Sequence, residues 1–156
     1  MRILVVCLGN ICRSPLAEVA LRQEIAAAGM TDDVSVDSAG TGDWNVGKPP
    51  NDRMRRAAAA VGLALEGTAR QIAQDDLAHS DLILVMDEAN LRDVRALAPD
   101  DATRAKVHLF LDYAGQGPLE VPDPYYGEDE GFDEVVAVVR PAARAIVERL
   151  AASTAA

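Results

Sequence analysis

Five residues separate Cys7 from Arg13 in the run Cys7-Leu8-Gly9-Asn10-Ile11-Cys12-Arg13-Ser14-Pro15. A short loop that leads into a helix N-terminus turns several backbone N–H groups toward one point. With the helix dipole, those donors form an anion site about the size of a phosphate. Gly9 and Asn10 tolerate the backbone angles that such a nest needs. Arg13 can grip two phosphate oxygens in a bidentate fork that lysine cannot copy. Cys7 lies at the base of the nest, where the same positive field favours the thiolate, the reactive form of the side chain. The Ser14 hydroxyl can donate to that sulfur. One loop would then supply a nucleophile and a cradle for the phosphoryl group it attacks, the parts that covalent catalysis through a cysteinyl-phosphate requires. A buried strand-end cysteine beside a surface arginine would explain neither the glycine nor the Ser-Pro pair.

This chemistry needs a strand that ends at Cys7 and a helix that starts near Arg13. Ile3-Leu4-Val5-Val6 is a continuous apolar run, as expected of a strand covered on both faces. Ser14 suits an N-cap and Pro15 the first helical position, where a missing N–H loses no partner. Ala17, Leu21, Ile25 and Ala28 recur at helical spacing, Glu18 and Arg22 pair on the outside, and Gly29 supplies a stop. Val34-Ser35-Val36-Asp37-Ser38 alternates as a second strand. A long loop over residues 39–50 follows, and it carries Trp44. A loop of that length in a compact domain is more often functional than idle.

Residues 51–61 read as an alanine-rich helix ended by Gly62, and Leu82-Ile83-Leu84-Val85-Met86 as another two-sided strand. Asp87-Glu88 open a helix that stops before Pro99, with acids at its positive end. Val107-His108-Leu109-Phe110 is a fourth strand, and residues 112–131 are turn-rich and acidic. The last helix places Phe132, Val135, Val136, Val139, Ala143, Ile146, Val147 and Leu150 on one face, with Pro141 removing one backbone hydrogen bond. Strands alternating with helices predict an α/β fold with a parallel sheet, as one domain over residues 1–150 with a frayed tail over 151–156.

A length of 156 residues fits one domain, and 49% hydrophobic with 26% charged residues is a globular balance able to bury a core. The net charge of −10 argues against a nucleic-acid binder with a broad basic face and against electrostatic attachment to anionic membrane. No apolar run approaches a membrane span, and the apolar N-terminal stretch is too short for a signal-peptide core, so a cytoplasmic location is expected. Cys7 and Cys12 are the two cysteines, too few for a disulfide framework or a four-cysteine zinc site.

The chain resembles the low-molecular-weight protein-tyrosine phosphatase family over nearly its whole length. The resemblance rests on CLGNICRSP near the N-terminus, SAGTGDWNVGKPPNDR from Ser38, ARQ at Ala69-Arg70-Gln71, MDEANL from Met86 and DPYYG from Asp123. It implies a three-layer α/β fold: a four-stranded parallel sheet flanked by helices, with the phosphate-binding loop after the first strand. It implies no cofactor and no metal, and it implies tyrosine-phosphorylated protein substrates, including a tyrosine kinase or its targets. A monomer or weak dimer is expected.

A phenolate leaving group needs a general acid opposite the nucleophile. Carboxylates crowd residues 120–134, and composition alone does not choose among them. Asp123 stands out because Pro122 and Pro124 stiffen its backbone on both sides, and the resemblance names the same residue as acid and later base. The catalytic set is then Cys7, Arg13 and Asp123. Leu8, Gly9, Asn10, Ile11, Cys12 and Ser14 would line or support the phosphate site. Trp44, Tyr125 and Tyr126 would clasp the phenyl ring at a depth that favours phosphotyrosine over phosphoserine. Family members similar to arginine-phosphate phosphatases carry threonine where Ile11 stands, so isoleucine favours phosphotyrosine.

Cys12 either pairs reversibly with Cys7, as the family often does, or is a small residue filling the loop. One departure is plain. The family often has a histidine two residues before the Ala-Arg-Gln segment, bracing the loop asparagine, and here that position is Gly67. Asn10 must find another partner or be held more loosely. His79 and His108 read as structural or exposed, and Arg53-Met54-Arg55-Arg56 as a solvated helix face. Two rival readings are an arsenate reductase on the same fold and a phosphotyrosine-binding module without turnover. The first needs relay cysteines near the third strand, where Met86-Asp87-Glu88 and their neighbours have none. The pairing of Cys7 with Asp123 argues against the second.

Overall fold

The computed structural model describes residues 1–155, the side chains of 154 and 155 excepted. β1 (Arg2–Cys7) lies inside a four-stranded sheet with β2 (Ser35–Gly40), β3 (Leu82–Val85) and β4 (Val107–Leu109), in the order β2-β1-β3-β4. Every pairing is parallel. A parallel sheet is covered on both faces, and the pleat divides each strand between two cores. Ile3, Val5 and Cys7 face α1 (Arg13–Ala27), α2 (Asp52–Ala59) and α7 (Asp129–Ala155). Leu4, Val6, Ile83 and Val85 face the opposite side, where Leu77 of α3 (Gln74–His79) and Val94 of α4 (Glu88–Leu97) cover them. The three-layer α/β architecture is the expected one.

Local readings hold with shifts. β2 begins one residue late and runs on to Gly40, because Cys7 pairs with Gly40 and so extends the ladder toward the loop. β4 stops at Leu109, and Phe110, read as strand, opens α6 (Phe110–Tyr113). α3, α5 (Asp101–Arg104) and α6 were not anticipated, being too short to show a helical period. α7 continues past Pro141, with Val139, Ala142 and Ala143 fully buried around it, so packing outweighs the one missing amide. The helix includes Ala151, Ala152 and Ser153, where fraying was expected, while residue 156 lies outside the described residues.

Ser14 is not the N-cap of α1. Cys12 occupies that position, no described side chain caps the terminus, and Ser14 turns its hydroxyl inward instead. The parallel topology puts the carboxyl ends of β1 and β3 at one edge of the sheet, the edge at which open α/β folds bind ligands.

Candidate active site

Residues 8–12 connect β1 to α1 as an arch over Cys7. Neighbouring segments hold its carbonyls from outside. The Thr41 amide donates to Cys7 O at 3.0 Å, that of Gly42 to Leu8 O at 2.9 Å, and that of Asn51 to Ile11 O at 2.8 Å. Asn45 Nδ2 reaches Gly9 O at 3.4 Å. In a trans peptide the N–H points opposite to the C=O. The amides of Leu8, Gly9, Asn10 and Cys12 are therefore turned to the other side of the arch. The Asn10 amide shows the result directly, donating to Cys7 Sγ at 3.2 Å.

The left-handed position in the arch is Asn10 (φ 56°), not Gly9. A Cβ at Gly9 would lie 2.6 Å from Asn45 Nδ2, the end of a side chain that can move aside. Gly40 is the tighter constraint, since its Cβ would meet the main-chain Leu8 O at 2.8 Å. Asn10 is buried and fully engaged. Its Nδ2 donates to Ser14 Oγ (2.8 Å) and Ser38 Oγ (3.1 Å), and its Oδ1 accepts the Arg70 amide at 3.0 Å. The brace that Gly67 cannot supply thus comes from the Arg70 main chain and from Ser38. Ser14 Oγ lies 3.0 Å from Cys7 Sγ. Because Ser14 accepts from Asn10, its own proton is free to point at the sulfur.

Arg13 is buried in the first turn of α1. Its Nη1 donates to Asp87 Oδ2 at 2.7 Å and to Val121 O at 3.0 Å, and Nη2 stands 3.6 Å from Asp123 Oδ2. Asp87 also caps α4, accepting the Asn90 amide at 2.8 Å. Asp123 is partly exposed, and its Oδ1 accepts the Tyr125 amide at 3.1 Å, a local turn between two prolines.

Cys7, Arg13 and Asp123 line one cleft of about 240 Å³, together with Leu8, Gly9, Ile11 and Cys12. Trp44, Tyr125 and Tyr126 form its rim, the two tyrosines edge to face at 4.9 Å between centroids. Asn45 and Lys48 complete the wall. The side chains of Asn10 and Ser14 bond to each other beneath the arch, and neither residue lines the cleft. Both cysteines are free thiols. Burial, then the neighbouring Cys7 and Asp123, push the Cys12 thiol up to about 12 against the pull of Arg13 and Arg53. Cys12 is thus a neutral thiol at physiological pH. His79 is exposed, and His108 packs against Tyr113 at 5.4 Å between rings.

A sequence model of the family described as low molecular weight phosphotyrosine protein phosphatase matches residues 2–156. The chain belongs to that family. The low molecular weight protein-tyrosine-phosphatase of Streptomyces coelicolor is 40% identical over 149 residues, covering 94% of this chain and 91% of its own. The human low molecular weight phosphotyrosine protein phosphatase is 39% identical over 148 residues, covering 94% of each. A crystal structure of a protein tyrosine phosphatase from Entamoeba histolytica, with Hepes in its active site, superposes with a TM-score of 0.93. It is 32% identical, and 99% of each chain is covered.

Contributors to this candidate site that were not read from the sequence include Asp87, Val121, Ser38, Arg53, Arg70, Asn45 and Lys48. MDEANL carried a usable signal for the first, since an acid just past a strand in a parallel sheet lies at the edge where Cys7 lies. Arg53, read as part of a solvated face, instead bonds the main chain beside Asp123. Among the described residues, no helix is long and apolar enough to cross a membrane.

Proposed function

We propose that this protein hydrolyses phosphotyrosine in proteins through a cysteinyl-phosphate, without a metal ion. The observation that carries the reading is the surround of Cys7 Sγ: an amide at 3.2 Å and a hydroxyl at 3.0 Å, with Arg13 and Asp123 on the same cleft. Donors directed at sulfur favour its negative charge. In the first step Cys7 Sγ attacks phosphorus in line. The S–P bond forms as the P–O bond to the tyrosyl oxygen breaks, and Asp123 donates its proton to that oxygen. Arg13 and the arch amides hold the three equatorial oxygens. In the second step Asp123 takes a proton from water, which attacks phosphorus. The S–P bond breaks, inorganic phosphate leaves, and the thiolate returns to the Ser14 hydroxyl and the Asn10 amide.

Substrate depth supports phosphotyrosine. The nucleophile is buried, and the rim is aromatic, with Trp44 and Tyr126 well exposed. A buried nucleophile under an aromatic rim suits the reach of a phenyl ring better than that of a serine methylene. Ile11 lines the cleft with hydrocarbon. Free thiols suit a reducing compartment, and we place the protein in the cytoplasm. Partners are tyrosine-phosphorylated proteins, a kinase or its targets among them.

The test is phosphate release from para-nitrophenyl phosphate and from phosphotyrosine, phosphoserine and phosphoarginine peptides, with chelator present. Turnover of the aryl and tyrosyl substrates, lost in Cys7→Ser with the fold retained, is expected. Binding without release would leave only a recognition module. Loss of release on adding the chelator would remove the metal-free mechanism.

A further inference from the structure

We propose that Arg53 is a positioning residue for Asp123, and that it does so by tying the acid-bearing segment to the phosphate loop itself. The inference rests on the reading of Asp123 as the general acid.

Residues 122–127 have no regular structure. Among the described residues, the hydrogen bonds that join them to another part of the chain are both made by Arg53. Nη1 donates to Gly127 O and Nη2 to Tyr125 O, each at 2.8 Å. The guanidinium lies 4.5 Å from the centroid of the buried Phe132 ring, and Asp129 stands 3.7 Å from Nη1. A flat cation held by an aromatic face and two carbonyls has little freedom.

Tyr125 links this clamp to the acid. Its carbonyl accepts from Arg53, while its amide donates to Asp123 Oδ1 at 3.1 Å. The other end of the connection reaches the arch. Arg53 is in the first turn of α2, whose N-cap is Asn51. Asn51 Oδ1 accepts the Arg53 and Met54 amides, and the Asn51 N–H donates to Ile11 O at 2.8 Å. The phosphate loop, the start of α2 and the acid segment are therefore one hydrogen-bonded sequence. Arg53 holds the distance between the proton donor and the leaving oxygen. Lysine would keep the charge but could not bridge both carbonyls.

The test compares kcat/KM for phenyl phosphate, a poor leaving group, and para-nitrophenyl phosphate, a good one, in wild type, Arg53→Gln, Arg53→Lys, Asp123→Ala and the Arg53→Gln/Asp123→Ala double variant. Thermal melts and competitive inhibition by inorganic phosphate report the fold and the phosphate loop. Arg53→Gln should lose roughly tenfold or more on phenyl phosphate, with a much smaller loss on the nitrophenyl ester and unchanged phosphate binding. Arg53→Lys should recover only part of the loss, and Arg53→Gln should add little once Asp123 is gone. Equal losses on both esters, full rescue by lysine, or additive losses in the double variant would overturn the proposal. No leaving-group dependence in Asp123→Ala alone would instead overturn the assignment of the acid.

Discussion

The main-chain N–H of Arg70 donates to Asn10 Oδ1 over 3.0 Å, and so an amide from the segment after Gly67 braces the phosphate loop. The Arg70 side chain anchors that segment in turn, forked onto Asp76 at 3.0 Å and bonded to Asp37 at 2.8 Å. Asn10 is thereby kept in the left-handed conformation that turns its amide toward Cys7 Sγ. For a side chain with a Cβ that conformation costs about 1–2 kcal/mol, and asparagine bears it better than most. Asn10→Ala should therefore lose more stability than Asn10→Gly, by about 1 kcal/mol in urea denaturation, while both lose kcat/KM because neither orients Ser14. Equal stabilities would show that the backbone does not keep this conformation in solution.

Arg13 and Asp87 form a second constraint. The guanidinium is almost wholly buried, and the 2.7 Å contact with Asp87 offsets the cost of taking it out of water. Asp87→Asn keeps a cap acceptor for α4 but loses the charge. It should fold and should lose kcat/KM by roughly tenfold or more, as a transition-state contact loosens. Arg13→Lys should lose both phosphate affinity and rate. Wild-type kinetics in Asp87→Asn would show that Arg13 needs no orienting partner.

The two thiols should differ in reactivity. Cys12 is pushed up to about 12 by burial and by its neighbours, so near neutral pH it is almost entirely thiol. Alkylation by iodoacetate followed by peptide mapping should modify Cys7 first, with protection by inorganic phosphate. Cys12→Ser should retain turnover. Preferential labelling of Cys12 would contradict this order.

Two carboxylates give opposite pH dependences. Burial raises the Asp76 carboxyl, but Arg70 and the Ala73 amide outweigh it, and the group lies below its ordinary value. Its contribution is present above the unfolded carboxylate range near ~4 and is lost as pH falls through the folded value. Burial raises Glu18, against Ser38 and Arg22. Its contribution is present below the same range and is lost as pH rises through the folded value. Asp76→Asn should thus destabilise at neutral pH and matter less in acid, while Glu18→Gln should stabilise at neutral pH and lose that gain in acid. Denaturation at several pH values reads both signs, and the same sign for the two variants would contradict the assignment.

The arrangement of the loop around Cys7 was legible because Cys7, Arg13 and the amides between them are contiguous in sequence. The place of Asp123 on the same cleft was legible only through its prolines and the family resemblance. Asp87 was not, because its meeting with Arg13, 74 positions away, depends on β3 lying beside β1, and periodicity does not reveal strand order. Arg53 was misread for a related reason. A helical arginine looks solvated until the fold lays an irregular segment across it, as it lays residues 125–127 here. Ser14 was placed at the right turn with the wrong duty, since a capping hydroxyl and one turned toward sulfur look alike in sequence.

Phosphorus NMR of Asp123→Ala, quenched in alkaline denaturant, where an S–P bond survives, during turnover of para-nitrophenyl phosphate, observes the covalent intermediate. An acidic leaving group still departs without its proton donor, but water is not activated, so the phosphoenzyme should accumulate. A phosphothioester resonance mapped to Cys7, absent from Cys7→Ala, is the expected result. Steady release of phosphate with no phosphorus on sulfur would mean that water attacks the substrate directly, and the nucleophilic role of Cys7 would be lost.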